Sequence, residues 1–234
     1  MLLKIRRRRY MENRKGLVTH AALSFTVCVL YDLLLLTPLN GYVYTTLLKI
    51  ALFLAVPLIF AKKKHTNVKG YFGTVKSKKM MALSFAVGAG VIIIILTGYF
   101  LLRQFFDDQM ILGSLKNEGI TKSNFPAVFL NIIFVNAFFE EFFFRGFVFR
   151  GGLKIETKQY AYLFSAVLFA LYHVTMIMNW FTLPIFFLCM AGLFAGGLIF
   201  NYVTDKCGSI FGSYIIHAAA NLAINAIGLY IFMK

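Results

Sequence analysis

The sequence predicts an all-α bundle of transmembrane helices, on three observations. Hydrophobic residues make up 60% of the 234-residue chain and charged ones only 14%, against about 25% charged in an ordinary soluble domain. The apolar residues gather into seven runs, each able to cross a bilayer core of about 30 Å, which needs roughly 20 helical residues with every backbone group paired internally. Basic residues cluster: of 24 Lys and Arg, seven lie in residues 1–15 and seven more in 62–79, beside apolar runs. A net charge of +15 would suit a nucleic-acid partner, but clusters placed this way belong to cytoplasmic loops, and no nucleic-acid partner is expected.

The runs cover residues 17–37, 42–61, 80–102, 125–149, 160–178, 183–203 and 210–233. The first follows four arginines at 6–9 as a signal peptide would. It exceeds an h-region of about 7–15 residues and no small-residue cleavage site follows, so it reads as a span. The fourth is long enough to tilt or project. Only 104–124 has room for a re-entrant piece, which would bring the count to eight. With the N-terminus inside, the cytoplasmic connections carry eighteen basic residues and the outer ones four, so the chain is expected N-in and C-out.

These features give one integral membrane domain over 1–234, with a basic cytoplasmic tail at 1–16 and a motif-bearing core at about 125–230. Cys28, Cys189 and Cys207 form no CxxC pair and read as small apolar packing residues. Gly192 and Gly196 have GxxxG spacing, which suggests close helix packing.

Ionisable groups inside a bilayer cost a few kcal/mol each, so each needs a partner or a task. Asp32 and Lys49 lie about equally far from a turn near Asn40 and are expected to form a structural ion pair. His20, near the basic end, reads as interfacial. Residues 136–150 are different in kind: Glu140 and Glu141 sit in a helix with ten phenylalanines between 125 and 149. Arg145 stands at i+4 from Glu141 and should pair with it, which leaves Glu140 about 100° away as a free general base.

His173 and His217 fall at a depth similar to Glu140 when measured from the basic ends, and Asn221 follows His217 by one turn. A carboxylate, two imidazoles and an amide make a hydrolytic set: the carboxylate takes a proton from water, one histidine orients it, and the others donate to an oxyanion. Zinc held by Glu140, His173 and His217 is the competing use of the same residues, although no HExxH occurs. There is no serine elbow, no cysteine–base pair and no phosphate loop.

Glu140-Glu141-x-x-x-Arg145, Phe169-x-x-x-His173 and His217-x-x-x-Asn221, in this order on successive helices, resemble the CAAX protease and bacteriocin-processing family, also called CPBP or Abi intramembrane proteases. The resemblance implies a peptide-bond hydrolase, glutamate-activated or metal-dependent, with a site open to the cytoplasm. Its substrate would be a membrane-embedded or lipidated peptide or protein, prenylated at a CAAX terminus in eukaryotic members. Residue by residue, Glu140 would activate water, His173 position it, and His217 with Asn221 receive the oxyanion, supported by Glu141 and Arg145. A non-catalytic bacteriocin-immunity or scaffold protein is the alternative. A proton-coupled transporter with a relay of Asp32, Lys49, Glu140 and Glu141 ranks behind both, because the chain lacks repeated halves. The short loops suit a bacterial plasma membrane.

Overall fold

A computed structural model describes residues 2–37 and 41–234. The described residues are helical throughout apart from connections, with a single-residue antiparallel bridge between Gly73 and Ser209. Among the described residues, seven helices are long and apolar enough to span a membrane. The spans are α1 (Leu2–Leu35, apolar from Lys15), α2 (Tyr42–Lys63), α4 (Lys78–Leu101), α6 (Phe125–Gly152), α7 (Lys158–Ile177), α8 (Leu183–Cys207) and α9 (Phe211–Met233). Between them lie α3 (Lys69–Phe72) and α5 (Asp108–Asn117). The spans match the seven expected runs to within a few residues. At ten residues α5 is too short to cross, so 104–124 adds no eighth span. The turn at Asn40 lies outside the described residues.

Helix ends follow local chemistry. Ser77, Asp107 and Thr157 accept backbone N–H groups at the starts of α4, α5 and α7, satisfying donors a helix leaves orphaned. Gly208 ends α8 in the left-handed conformation, φ 81°, which only glycine enters freely.

The outward faces are apolar, as a lipid solvent requires: Val43 and Ile94 are 70% exposed and Leu101 is 74% exposed. Small residues bring helices together. A Cβ on Gly88 of α4 would lie 3.1 Å from Ala219 of α9, and one on Gly197 of α8 would lie 3.0 Å from Ala166 of α7. The expected Gly192–Gly196 contact does not form, because nothing approaches either residue within 4 Å. The close approach is one residue further on, at Gly197.

At the center runs α6. Its residues Phe142 to Phe149 are all buried, and Phe143, Phe144 and Phe147 pack with Phe53, Phe60, Tyr71 and Tyr172. Two stretches of α6, Asn131–Asn136 and Phe142–Phe149, are wound as π-helix, as is Ile50–Ala55 in α2. Such windings are rare and gather at functional sites. They displace backbone carbonyls from the regular ladder, and neighbouring side chains use them. Asn221 and Tyr214 of α9 donate to the Ile132 and Phe134 carbonyls, Ser165 of α7 to Phe144, and His20 of α1 bonds to Phe147.

His20 is therefore not interfacial in the sense expected. It is 1% exposed and lies against Gly151, where a Cβ would fall 2.6 Å from Nε2. The loop carrying α3 folds under the same end of α6. Thr74 and Lys76 donate to the Gly208 and Cys207 carbonyls, and Arg150 donates to Gly70 and Gly208.

Candidate active site

Glu140 and Glu141 occupy a short α-helical stretch, Ala137–Glu141, between the two π windings of α6. Both are essentially buried, at 1% and 0% exposure, so every charge and donor around them counts. Their environments differ.

Glu140 Oε1 accepts three hydrogen bonds: from Lys49 Nζ at 2.9 Å, Asn136 Nδ2 at 2.7 Å and the Tyr172 hydroxyl at 2.6 Å. Lys49 also donates to Asn136 Oδ1. The expected Asp32–Lys49 pair is thus not made. Lys49 reaches across to Glu140 on α6, and Asp32 instead accepts from Thr175 Oγ1 at 2.5 Å. Nor is Glu140 the free carboxylate expected from helix geometry alone, since one of its oxygens is saturated.

Its other oxygen, Oε2, has no hydrogen-bond partner among the described residues. It faces His217 Nε2 at 3.6 Å and His173 Nε2 at 3.9 Å. The remaining ring nitrogens are fixed. His173 Nδ1 lies 2.7 Å from the Phe169 carbonyl, and His217 Nδ1 lies 2.9 Å from Glu141 Oε1. Both partners are acceptors, so each Nδ1 carries the proton and donates it.

Local structure explains each position. α7 breaks at Tyr172–His173, and His173 begins the next turn with φ −88° and ψ −8°. The break lets Tyr172 and His173 both reach Glu140 although adjacent in sequence. His217 lies six residues into α9, which starts at Phe211. At a rise of about 1.5 Å per residue that is only ~9 Å deep, less than a count from Lys206 suggests. The α8–α9 turn therefore sits well inside the bundle, and the α3 loop covers it.

Glu141 Oε1 also meets Arg145 at 3.1 Å, the expected i+4 pair, with both side chains fully buried. Arg145 lies between the rings of Phe169 and Phe200, 4.1 and 4.7 Å from their centroids. The His217 ring stacks on Phe200 at 5.3 Å and meets Phe169 edge-on at 5.7 Å. Phe169 of the F-x-x-x-H motif thus supplies a carbonyl to one histidine and a ring face to the guanidinium.

The structure brings together Glu140, Glu141, Arg145, His173 and His217. It places Asn221 apart from them in its bonding, with its amide donated to the Ile132 carbonyl at 3.0 Å. Lys49, Asn136 and Tyr172 join the site unannounced. Asn136, at i−4 from Glu140 and directly before the glutamate motif, offered a usable signal. Lys49 could be found only by asking which buried cation balances the second glutamate.

Two oriented imidazoles thus stand beside a buried carboxylate inside a helical membrane protein. Residues 122–223 match the family model for type II CAAX prenyl endopeptidase Rce1-like proteins. This segment, which holds Glu140 through Asn221, is the part of the chain that is similar to CAAX proteases. No curated protein and no solved structure matches the chain.

Proposed function

We propose that this chain is an intramembrane endopeptidase that hydrolyses a peptide bond of a membrane-associated substrate with a water activated by Glu140. The observation carrying this reading is the convergence of Glu140 Oε2 with His173 Nε2 and His217 Nε2, each ring locked through its other nitrogen. Separations of 3.6 and 3.9 Å suit a water making hydrogen bonds of about 2.8 Å to both sides.

The proton count assigns the roles. His173 donates through Nδ1, so as a neutral ring it accepts at Nε2. The water gives one proton to His173 Nε2 as a hydrogen bond and transfers the other to Glu140 Oε2 as its oxygen adds to the scissile carbonyl carbon. An oxyanion then needs a donor, and His217 supplies one at Nε2 only as imidazolium, because its Nδ1 proton is committed to Glu141. Glu141 is the counter-charge for that state. When the C–N bond breaks, Glu140 returns its proton to the leaving amine, which balances the reaction. Lys49, Asn136 and Tyr172 hold Oε1 and so aim Oε2. Asn221 acts through helix placement.

Zinc would use Glu140, His173 and His217, and would polarise the water when bound. Bonds of about 2.0–2.1 Å in a tetrahedron set ligand atoms about 3.4 Å apart, closer than either pair here, and among the described residues no three such side chains stand at metal-holding spacing. The donor set does not fit zinc as it stands, so no step is routed through metal.

The eighteen-to-four distribution of basic residues supports an N-in orientation, and the short loops suit a bacterial cell membrane. The test is a comparison of membrane peptidomes from cells carrying the native protein and a Glu140→Gln form. A peptide whose termini appear only with the native protein supports the endopeptidase. Identical peptidomes favour a non-catalytic immunity or scaffold role.

A further inference from the structure

Topology asks only that basic residues lie on one side of a membrane; it does not ask that they converge. At the basic end three of them do. The Lys76 side chain lies over Gly208, where an added Cβ would fall 2.8 Å from its Cγ. The Arg150 guanidinium lies against Gly73, its Cζ 2.8 Å from the corresponding position, and Lys154 Nζ stands 3.2 Å from that of Gly70. Gly73 and Gly208 have φ of 71° and 81°, and their bare backbones let the side chains come this close. Arg150 links all three places, donating through Nε to the Gly70 carbonyl and through Nη1 to the Gly208 carbonyl, each at 3.0 Å.

These charges are not balanced within the protein. Among the described residues no carboxylate pairs with Lys76, Arg150 or Lys154. The acids described at this end are engaged elsewhere: Asp205 accepts from Lys158 and the Tyr162 hydroxyl, and Glu156 Oε1 accepts from the Thr157 amide. Lys76 and Lys154 are exposed and Arg150 is half-buried. Like charges held together without a counter-charge repel one another, so the cluster favours an anion. Its level is set by the helices around it. α6 ends at Gly152 and α8 at Cys207, while α4 begins at Lys78 and α9 at Phe211. Four spans thus leave the apolar layer here, at the height of lipid phosphates. Apolar surface adjoins the charges, with Val75 40% exposed next to Lys76 and Phe211 43% exposed at the start of α9. A soluble anion has no use for that surface, whereas a lipid does.

We infer that Lys76, Arg150 and Lys154 form a binding site for the phosphate of an anionic phospholipid in the basic-side leaflet. The two exposed lysines meet the headgroup, and Arg150 stays in place because two of its nitrogens are committed to carbonyls. A zwitterionic headgroup brings its own cation and gains less from the cluster. A bound headgroup ties the α3–α4 connection to the α8–α9 turn, the turn from which α9 carries His217. Lipid binding needs no bond cleavage, so the site stands or falls independently of the proposed hydrolysis.

The experiment measures binding to the full chain by native mass spectrometry. Delipidated protein in a neutral detergent is titrated with phosphatidylglycerol, phosphatidylcholine or inorganic phosphate. Phosphatidylcholine offers the same phosphate with a cancelling cation, and inorganic phosphate offers the anion without acyl chains. The native chain is compared with Lys76→Gln/Lys154→Gln, with the charge-keeping Lys76→Arg/Lys154→Arg, and with Lys116→Gln/Lys122→Gln at the opposite end. Arg150 is left unchanged because its bonds to two carbonyls hold the loop. The native chain should bind phosphatidylglycerol at least about tenfold more tightly than phosphatidylcholine, and the glutamine pair at Lys76 and Lys154 should lose at least about tenfold of that affinity. The arginine pair and the opposite-end pair should keep it. Phosphatidylglycerol should also raise the melting temperature of the native chain but not of the Lys76/Lys154 glutamine pair. If that pair does not fold, Lys154→Gln alone carries the comparison, with an expected loss of about threefold. Equal affinity for the two lipids, native affinity in the folded glutamine variant, an equal loss in the Lys116/Lys122 variant, or inorganic phosphate binding as tightly as the lipid overturns the site.

Discussion

Removing the negative charge of Glu141 tests whether the second glutamate is there for catalysis or for its neighbours. Arg145 is 0% exposed, and none of its three guanidinium nitrogens has a well-formed hydrogen bond. Its one ionic partner among the described residues is Glu141 Oε1 at 3.1 Å. The Phe169 and Phe200 faces at 4.1 and 4.7 Å add about 1–2 kcal/mol of cation–π attraction, but they are present with or without Glu141 and cancel in the difference. Glu141→Gln therefore leaves a buried cation uncompensated, at a cost of about 3–5 kcal/mol. The same change at Glu140 should cost less, roughly 1–2 kcal/mol. A glutamine carbonyl still accepts from Lys49, Asn136 and Tyr172, and Lys49 keeps Asn136 Oδ1 as a second acceptor, whereas among the described residues Arg145 has no second partner.

The assay is reversible unfolding in mixed micelles with increasing denaturing detergent, run on native, Glu140→Gln, Glu141→Gln, Arg145→Met and the Glu141→Gln/Arg145→Met double variant. The double variant should be more stable than Glu141→Gln alone, since no stranded cation remains. Equal destabilisation by both glutamine variants, or strict additivity in the double variant, would refute this account of the pair. Activity adds a second axis. Glu140→Gln should abolish cleavage, and Glu141→Gln should lower it as well, because His217 loses the carboxylate that holds its Nδ1.

Tyr172→Phe removes one of three donors to Glu140 Oε1, at 2.6 Å, and should lower kcat by about tenfold, the equivalent of a ~1.4 kcal/mol bond, with melting nearly unchanged; unaltered kcat would exclude Tyr172 from aiming the carboxylate. Gly73→Ala should destabilise the α3 loop strongly, since Gly73 has φ 71° and an added Cβ would fall 2.1 Å from the Gly208 carbonyl; a variant that melts like the native chain would show that the bridge to Ser209 is dispensable. Activity should survive stripping with a strong chelator, and His217→Gln should retain part of it, because an amide still donates to an oxyanion and loss of such a donor costs roughly 10²–10³ in rate. Stoichiometric zinc whose removal silences the enzyme and whose return restores it would overturn that expectation.

The seven spans were legible because a bilayer imposes a length and a polarity on every crossing, and those constraints are local in sequence. Glu141–Arg145 was legible for the same reason, as an i+4 pair lies within one helix. Lys49 was misread because its partner is 91 residues away and a hairpin argument considers only adjacent spans. Tyr172 was passed over because an aromatic in a chain with 27 Phe and 12 Tyr looks like packing until a helix break turns it toward a carboxylate. His173 and His217 meet Glu140 as their comparable depths implied, although only six residues of α9 precede His217, because the α8–α9 turn is itself buried. Asn221 shares a helical face with His217 as its spacing demands, but a face does not say which neighbour it meets.

One local feature accounts for much of what the pattern concealed. The two π windings break the regular hydrogen-bond ladder of α6 on either side of Glu140–Glu141, which by itself weakens the helix. The displaced carbonyls of Ile132, Phe134, Phe144 and Phe147 are the points to which α9, α7 and α1 attach their polar side chains. In a medium where apolar surface gives helices little reason to associate, those bonds supply orientation that lipid-facing packing cannot. They also fix the bearings of the residues beside them: Asn221 is one turn from His217, and Ser165 is two turns from His173. The irregularity that costs α6 part of its own ladder therefore sets the angles at which both histidines arrive at Glu140, and a straight α-helix with the same residues would present Asn136 and Asn131 on different faces.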